Sequence, residues 1–196
     1  VIHLLDSVQE VFFNDKKDLI PKIEETEAKI DQLHKAVKAY AEDIMQAGIS
    51  DDAARVLTLY VASSGNIERI GDYGKKLLEY YAYRQNRPKD FSQQAMTELS
   101  GMYAEAHHAI VTALDGFIND DPDKAREVAP IAGRLRGLEV ELRNRHIQRL
   151  DKQECDSETG LVYVDILGII EHIGYHSNNV ATATISSCTA ERNAKA

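Results

Sequence analysis

Apolar residues recur along the chain three and four positions apart, which is the spacing of one face of an amphipathic α-helix. The stretch between residues 53 and 64 illustrates this pattern, with Ala53, Val56, Leu57, Tyr60, Val61 and Ser64 on one face. With the turn signals between apolar runs, the pattern predicts helices over residues 1–13, 17–47, 52–84, 91–118, 123–151 and 158–188. The chain is therefore predicted to be an all-α protein, with each apolar face buried in a bundle.

Short stretches rich in Asn, Asp, Gly and Pro interrupt the apolar pattern. In chain order they are NDKKD (14–18), GISDD (48–52), QNRPKD (85–90), NDDPD (119–123) and ECDSETG (154–160). Pro122 stands where a helix can begin, because the first turn of a helix does not need its missing N–H. We expect QNRPKD to join two halves of the chain.

The two halves are copies of each other at a shift of 105 residues (116 − 11), starting from Val11 and Gly116. The matched pairs include Phe12 with Phe117, Ile23 with Val128, Ile30 with Leu135, Leu33 with Leu138 and Val37 with Leu142. Their spacing is helical, so each copy is predicted to be one antiparallel three-helix bundle, over residues 1–86 and 91–190. We expect the two bundles to pack side by side about an approximate two-fold axis.

The first helices of the two copies differ in length. The predicted helix over 1–13 is less than half as long as its counterpart over 91–118. Under the repeat shift, about fourteen residues of the first helix are expected upstream of Val1, as in a longer polypeptide. The alternative is a natively shorter first helix.

Composition and charge narrow the function classes. The formal net charge of −9 argues against nucleic acid and against a polybasic membrane surface, which both need clustered Lys and Arg. Cys155 and Cys188 form no CxxC pair, so we expect a reducing compartment and no disulfide. The longest apolar run, residues 161–170, contains Asp165 and is too short to cross a bilayer.

Two octapeptides carry the candidate chemistry: GNIERIGD (65–72) and GIIEHIGY (168–175), related by a shift of 103 (168 − 65). In the first, Glu68 and Asp72 share a helix face, and two like charges at this spacing destabilise a helix. A hard cation such as Mg²⁺, Mn²⁺, Zn²⁺ or iron is one compensation, and an ion pair that includes Arg69 is another. The glycines are expected to allow another backbone or a ligand to approach closely.

The second octapeptide departs from the first. Glu171 is retained, but Tyr175 replaces the aspartate and His172 replaces the arginine, so we expect a weakened or altered site. His172 and His176 can supply nitrogen ligands of the kind that zinc and iron accept, although solvated or core histidines are the alternative. Asp165 and Asn179 are candidates to support the metal ligands of this second site. Alternatively, they are polar groups of the surface or of a hydrogen bond between helices.

A further spacing, Glu105 with His108, is the one that ferritin-like di-iron bundles use. That architecture needs a second such motif, which the sequence lacks. No phosphate-binding loop, nucleophile elbow or Ser/His/Asp arrangement is present, so the chain is not expected to be an enzyme.

The sequence NIERIGD (66–72) resembles the signature of the PhoU family, in which each of two repeats carries Glu or Asp, three residues, then Asp. Residues 145–181, which begin RHIQRL and include Cys155, are similar to the PhoU-like cytoplasmic tail of bacterial sodium–phosphate cotransporters. The resemblance implies two bundles, multinuclear metal sites on the signature carboxylates, and a role in phosphate transport or its regulation. The ligands it implies are Glu68, Asp72 and Glu171, with His172, His176 and Asp165 as weaker candidates.

We therefore expect a metal-binding regulatory domain on the cytoplasmic side of the bacterial inner membrane, attached to the transporter part of the same polypeptide. The bound metal is expected to be of the iron, zinc or magnesium class. The first alternative is a free-standing cytoplasmic regulator of the PhoU type, which contacts phosphate transport or sensor proteins. The second, from another class, is a ferritin-like metalloenzyme. The sequence leaves open whether the chain forms a homodimer.

Overall fold

The computed structural model describes residues 1–86, 91–155 and 157–194, and these residues form seven α-helices, one 3₁₀ turn and no strand. The helices are α1 Ile2–Asn14, α2 Ile20–Gln46, α3 Asp51–Gln85, α4 Gln93–Ile118, α5 Pro122–Arg126, α6 Val128–Asp151 and α7 Ser157–Ala194, with the 3₁₀ turn at Lys17–Leu19. The all-α prediction is confirmed, and most predicted boundaries lie within two residues of the observed ones. The predicted joining segment 85–90 lies, beyond Asn86, outside the described residues.

Short polar side chains begin three of the helices. Ser50 accepts a hydrogen bond from the N–H of Ala53 at 3.3 Å, and Ser92 accepts one from the N–H of Ala95 at 3.2 Å. The carboxylate of Asp121 caps α5 in the same way. Each of these bonds satisfies a backbone donor that the first turn of a helix leaves unpaired.

The predicted helix over 123–151 is two helices, α5 and α6, separated at Glu127. Pro130 explains the interruption. A proline inside a helix has no N–H to donate and its ring clashes with the carbonyl four residues earlier, here that of Arg126, where α5 ends. Pro21 has a similar position near the start of α2, where the chain forms a 3₁₀ turn before the regular helix.

Helices α1 to α3 pack together, and α4 to α7 form the second group. The two groups meet where α3 packs antiparallel to α7. Asn66 contacts Asn179 at 3.1 Å, and some four turns farther along α3 Tyr80 contacts Asp165 at 3.1 Å. Because α3 and α7 are repeat equivalents, this antiparallel pairing agrees with the approximate two-fold relation expected from the duplication.

The two bundles are covered unequally because α1 has 13 residues and α4 has 26. In the second bundle the first half of α4 buries Leu99 and Met102 against the core. In the part of the chain that the structure describes, no such half-helix covers the corresponding part of the first bundle, where Leu33 and Tyr40 are 64% and 69% exposed. The prediction that the stripe of α3 is buried is wrong for Ala53, which is exposed, and the rest of that stripe is only half-buried.

Among the described residues, no helix has a stretch that is long and apolar enough to cross a bilayer.

Candidate functional site

The two octapeptides lie on α3 and α7, near the middle of the interface between the bundles, and three of their four glycines face the second helix of their own repeat. A β-carbon on Gly71 would lie 3.5 Å from Cδ1 of Ile30, and one on Gly174 would overlap the side chain of Leu135. Ile30 and Leu135 are a matched pair of the duplication. At Gly65 and Gly71, where close approach was predicted, a β-carbon would make only an ordinary contact, no nearer than 3.4 Å to a side chain of α2. The tighter contact is at Gly174, whereas a β-carbon on Gly168 would meet nothing within 4 Å.

Glu68 and Asp72 face two carboxylates of α2, Glu27 and Asp31, and we call these four residues the first carboxylate cluster. Burial raises the pKa of Glu68, and the charge of Asp72 raises it further. Burial likewise raises the pKa of Asp72, with the charge of Glu27 as the second cause. The raised pKa values mean that the folded protein holds these ionised carboxylates at a cost, as the sequence predicted.

Basic side chains offset part of this negative charge. Lys75 donates to Glu27 at 2.9 Å, and Lys35 donates to Asp31 at 2.6 Å. Arg69 lies 4.0 Å from Glu68 of its own helix, and its side chain is mostly exposed. The two α3 carboxylates are therefore less well neutralised than the two on α2, which leaves them available to a cation.

The second octapeptide is arranged differently. The carboxylate of Glu171 lies 3.9 Å from Arg136 of α6 and 3.0 Å from the ring of His172. Tyr175, which stands in the position of Asp72, is exposed. Glu171 thus has no second signature carboxylate beside it and has an arginine and a histidine instead.

His176 lies in the interface between α3 and α7. Its Nδ1 is 2.8 Å from the side-chain oxygen of Asn66, which also accepts a hydrogen bond from Asn179 at 3.1 Å. Burial lowers the pKa of His176, and the charge of His172 lowers it further. The rings of His172 and His176 both contact Tyr73, at centroid distances of 5.4 and 5.7 Å, so the two histidines flank a tyrosine of the first repeat.

Asp165 belongs to a separate part of the same interface. It accepts a hydrogen bond from the hydroxyl of Tyr80 at 3.1 Å, and that bond is a cause, after burial, of the raised pKa of Tyr80. The structure therefore does not bring Asp165 to the side chain of Glu171, six residues farther along α7.

The donor chemistry of the first carboxylate cluster fits a hard cation, which binds to carboxylate oxygens. The side chains do not converge on a point as they stand. Across residues 1–86, 91–155 and 157–194, no three His, Cys, Asp or Glu side chains are placed to hold one metal ion.

The ferritin-like spacing has ordinary partners. Glu105 accepts a hydrogen bond from Arg134 at 2.9 Å, and His108 is exposed. The neighbouring His107 approaches Asp6 of α1 at 2.7 Å, so it contributes to the contact between α1 and α4.

Sequence reasoning missed a buried ion pair at the start of α4. Glu98 accepts two hydrogen bonds from Arg149, at 2.9 and 3.1 Å, and one from Tyr163 at 2.7 Å. Burial alone would raise the pKa of Glu98, but these bonds outweigh burial and lower the pKa. Arg145 lies one helical turn before Arg149 and 3.7 Å from the same carboxylate. Two arginines four positions apart were the available sequence signal.

Asp72→Asn is expected to stabilise the metal-free protein at neutral pH by about 0.5 kcal/mol, because it removes a charge that its neighbours repel. The folded-state pKa of Asp72 lies above the ordinary 3.8. Its favourable contribution is therefore present below that value and lost as the pH rises through the folded-state pKa. Urea unfolding with a chelator should detect the gain at pH 7 and no gain below pH 3.8. A loss of stability at pH 7 would contradict the cluster's electrostatics.

A known family model matches this chain in two places. The model described as "PhoU domain" matches residues 1–81 and again residues 99–184. Two separate matches on one chain agree with the internal duplication.

Two named proteins are similar in sequence over most of this chain. The Phosphate-specific transport system accessory protein PhoU homolog 1 of Thermotoga maritima is 24% identical over 169 residues, covering 85% of this chain and 72% of that protein. YjbB of Escherichia coli, whose name provisionally assigns it to the export of inorganic phosphate, is 23% identical over 146 residues. That match covers 74% of this chain but only 27% of YjbB.

Two solved structures have the same fold. PhoU from Pseudomonas aeruginosa aligns with a TM-score of 0.86 at 18% identity, covering 95% of this chain and 88% of that one. The phosphate transport system regulatory protein PhoU from Streptococcus pneumoniae aligns with a TM-score of 0.79 at 14% identity, covering 95% and 86%. At these identities the likeness concerns the fold alone.

Proposed function

The chain belongs to the PhoU domain family, and from that premise we propose that it is a regulatory, non-enzymatic domain that acts on phosphate transport across a bacterial membrane. The observation that carries the proposal is the matching of both repeats by one family whose relatives are named for phosphate transport. Its partners are then proteins of a phosphate transport or sensing system, which it contacts through the surface of the double bundle.

Two arrangements of this function follow from the relatives. The PhoU homolog of Thermotoga maritima is covered over 72% of its length, which favours a free-standing regulator. YjbB is covered over 27%, so there the PhoU-like unit is one part of a longer protein. The resemblance of residues 145–181 to sodium–phosphate cotransporter tails favours the second arrangement. We propose that this domain lies on the cytoplasmic side of the inner membrane, attached to a sodium–phosphate cotransporter.

The coding frame upstream of Val1 distinguishes the two arrangements. A run of apolar helices in frame with Val1 supports the attached domain. A start codon within a few residues of Val1 removes the cotransporter part of the proposal and leaves the free-standing regulator.

The regulatory role is tested by uptake of radiolabelled phosphate in the source bacterium after in-frame deletion of residues 1–196. Regulation predicts that uptake no longer declines when external phosphate is raised, and that re-expression of the deleted segment restores the decline. Unchanged uptake at both low and high phosphate would exclude the role. A complete loss of transporter from the membrane must be ruled out by immunoblotting of the transporter portion.

We also propose that the first carboxylate cluster binds a hard cation. Two observations support this: the incompletely neutralised Glu68 and Asp72, and the raised pKa values that a bound cation would reverse. Glu68, Asp72, Glu27 and Asp31 would hold the ion, which would neutralise their charge and fix α2 against α3. The second octapeptide, with Tyr175 and an Arg136 contact, is proposed to bind a cation more weakly.

Metal content should therefore depend on the first octapeptide more than on the second. Protein purified without chelators is expected to lose most of its bound metal in the Glu68→Ala, Asp72→Ala variant and little in Glu171→Ala, as measured by elemental analysis. Removal of carboxylate ligands is the reason. Equal metal in the double variant and the unaltered protein would refute the first site. A comparable loss in Glu171→Ala would mean that the second site binds as well.

A further inference from the structure

A cavity of about 640 Å³ lies at the far end of the second bundle, away from both octapeptides. It is partly open to solvent and is lined by the start of α4, the end of α6, residues 153–155 after α6, and the start of α7. Its lining residues are Phe91, Ser92, Ala95, His146, Arg149, Gln153, Glu154, Cys155, Thr159 and Tyr163. Its volume is within the range of pockets that hold small molecules.

Residues of one sequence motif meet at this cavity. His146 and Arg149 come from the RHIQRL sequence, and Cys155 follows in the turn after α6. The N–H groups of Gln153 and Glu154 bond to carbonyls near the end of α6, both at 2.9 Å, and so fold the chain back at this point. The motif that distinguished the second repeat at the sequence level therefore forms the wall of a cavity.

His146 is the feature that points to a ligand. Its side chain lines the cavity and the residue is only 4% exposed, yet its Nε2 has no hydrogen-bond partner among the described residues. The ring packs against Gly160, where a β-carbon would collide with Nε2. A buried polar atom without a partner is costly, so a site that retains one is expected to satisfy it with a bound molecule.

The charges around the imidazole favour an anion. Burial lowers the pKa of His146, and the charge of Arg149 lowers it more than Glu98 raises it. Arg149 therefore outweighs Glu98 at the ring, and the other carboxylate that lines the cavity, Glu154, is not among the charges that shift this pKa. Glu98 occupies two of the five N–H donors of the Arg149 guanidinium. The N-terminus of α7, which also borders the cavity, adds the positive end of a helix dipole.

The cavity also has apolar walls that a simple ion would not need. The rings of Phe91 and Tyr163 lie edge to face, with centroids 5.9 Å apart, and Ala95 is beside them. A bare oxyanion would fill only a small part of the volume. We propose that this cavity binds a small organic anion, in which a phosphate or carboxylate group contacts Arg149 and His146 and an apolar body packs on Phe91 and Tyr163.

This proposal does not depend on the role in phosphate transport or on the metal sites, because it concerns different residues at another end of the molecule. Failure of ligand binding here would leave both of those proposals unchanged.

Protection of Cys155 from alkylation measures occupancy, and Cys188 is the internal control because it lies outside the cavity, near the carbonyl of Asp120. The probes are phenyl phosphate and benzoate, with inorganic phosphate and phenol as half-ligands. At about 5 mM, phenyl phosphate or benzoate is expected to slow iodoacetamide labelling of Cys155 several-fold, and labelling of Cys188 not at all. Mass spectrometry of the two cysteine peptides gives both rates. No protection by either aryl anion would overturn the proposal.

Two variants test the assignment of residues. His146→Gln is expected to weaken protection about tenfold, because the imidazole contact is lost while a similar volume remains. Ala95→Met should abolish protection by filling the cavity, whereas Ala104→Met, on the exposed face of the same helix, should leave it intact. If His146→Gln does not fold, Ala95→Met alone decides. Full protection in a folded Ala95→Met variant would place the ligand elsewhere and overturn the proposal. Protection by phenyl phosphate alone, or by benzoate alone, identifies the oxyanion.

Discussion

Substituting alanine for Leu135 is expected to lower the free energy of unfolding by about 2–5 kcal/mol. Leu135 is fully buried on α6 and packs directly against Gly174, where the second octapeptide crosses it. The substitution removes three buried carbons and leaves a cavity at a tight contact between α6 and α7. Chemical denaturation monitored by circular dichroism measures the change.

Leu33 on α2 gives the control for this effect. It has the same side chain, but it is 64% exposed because no half-helix covers that part of the first bundle. Leu33→Ala is expected to change the free energy of unfolding by no more than about 0.5 kcal/mol. A large loss of stability in Leu33→Ala would contradict the structure, because it would mean that Leu33 is buried rather than exposed.

The glycines of the second octapeptide should respond in opposite directions. Gly168→Ala adds a methyl group in open space within a helix and is expected to stabilise by about 0.5–1 kcal/mol. Gly174→Ala overlaps Leu135 and is expected to destabilise by about 1–3 kcal/mol. In the double variant with Leu135→Ala the new methyl group enters the space that the leucine leaves. The double variant should therefore lose less stability than the sum of the losses in Gly174→Ala and Leu135→Ala. Strictly additive losses would refute the contact between Gly174 and Leu135.

Glu98→Ala is the second substitution with a large expected effect, a loss of about 3 kcal/mol. Its carboxylate is 8% exposed and the partner Arg149 side chain is 12% exposed. Removing the carboxylate leaves a buried guanidinium and the hydroxyl of Tyr163 without their acceptor. Because the folded-state pKa of Glu98 is lowered, its contribution is present above the ordinary value of 4.5 and lost as the pH falls through the folded-state pKa. The difference in the free energy of unfolding between Glu98→Ala and the unaltered protein should therefore shrink as the pH falls below 4.5, as urea unfolding at several pH values would show.

A surface pair in the same chain serves as the comparison. Glu25 accepts from Lys29 at 2.6 Å, but both side chains are 65% exposed. Glu25→Ala is expected to leave the free energy of unfolding nearly unchanged, because water and salt screen an exposed pair, and added salt should remove any small difference. Similar losses from Glu25→Ala and Glu98→Ala would mean that burial does not strengthen the Glu98 pair.

Much of the architecture followed from the sequence because local signals agreed with the duplication. Helical spacing and the Asn/Asp-rich turns predicted six helical segments, and the 105-residue shift related Ile23 to Val128, which are both fully buried. The split at Glu127 was missed, although Pro130 gave its signal four residues after the last residue of α5. Helical periodicity alone does not register a break that leaves the apolar face in phase.

The candidate sites were predictable only in part. Spacing along one helix placed Glu68 and Asp72 together. The tyrosine at position 175, where the first octapeptide has an aspartate, predicted that the second site differs from the first. The contributions of Glu27 and Asp31 come from α2, and that of Arg136 comes from α6. Sequence spacing within one helix carries no information on which side chains a neighbouring helix brings to it.

The sequence by itself determined the helical class, the two copies and the positions of the signature carboxylates, because helix formation and duplication are recorded in local and periodic patterns. Only the tertiary structure decided which apolar positions are buried. Leu33 and Leu138 are matched by the repeat, yet the first is mostly exposed and the second is half-buried. Burial depends on whether another helix is present to exclude water, and α4 extends far enough to do so whereas α1 does not. The cavity beside His146 also depends on the tertiary structure, because it forms where the ends of α4, α6 and α7 meet.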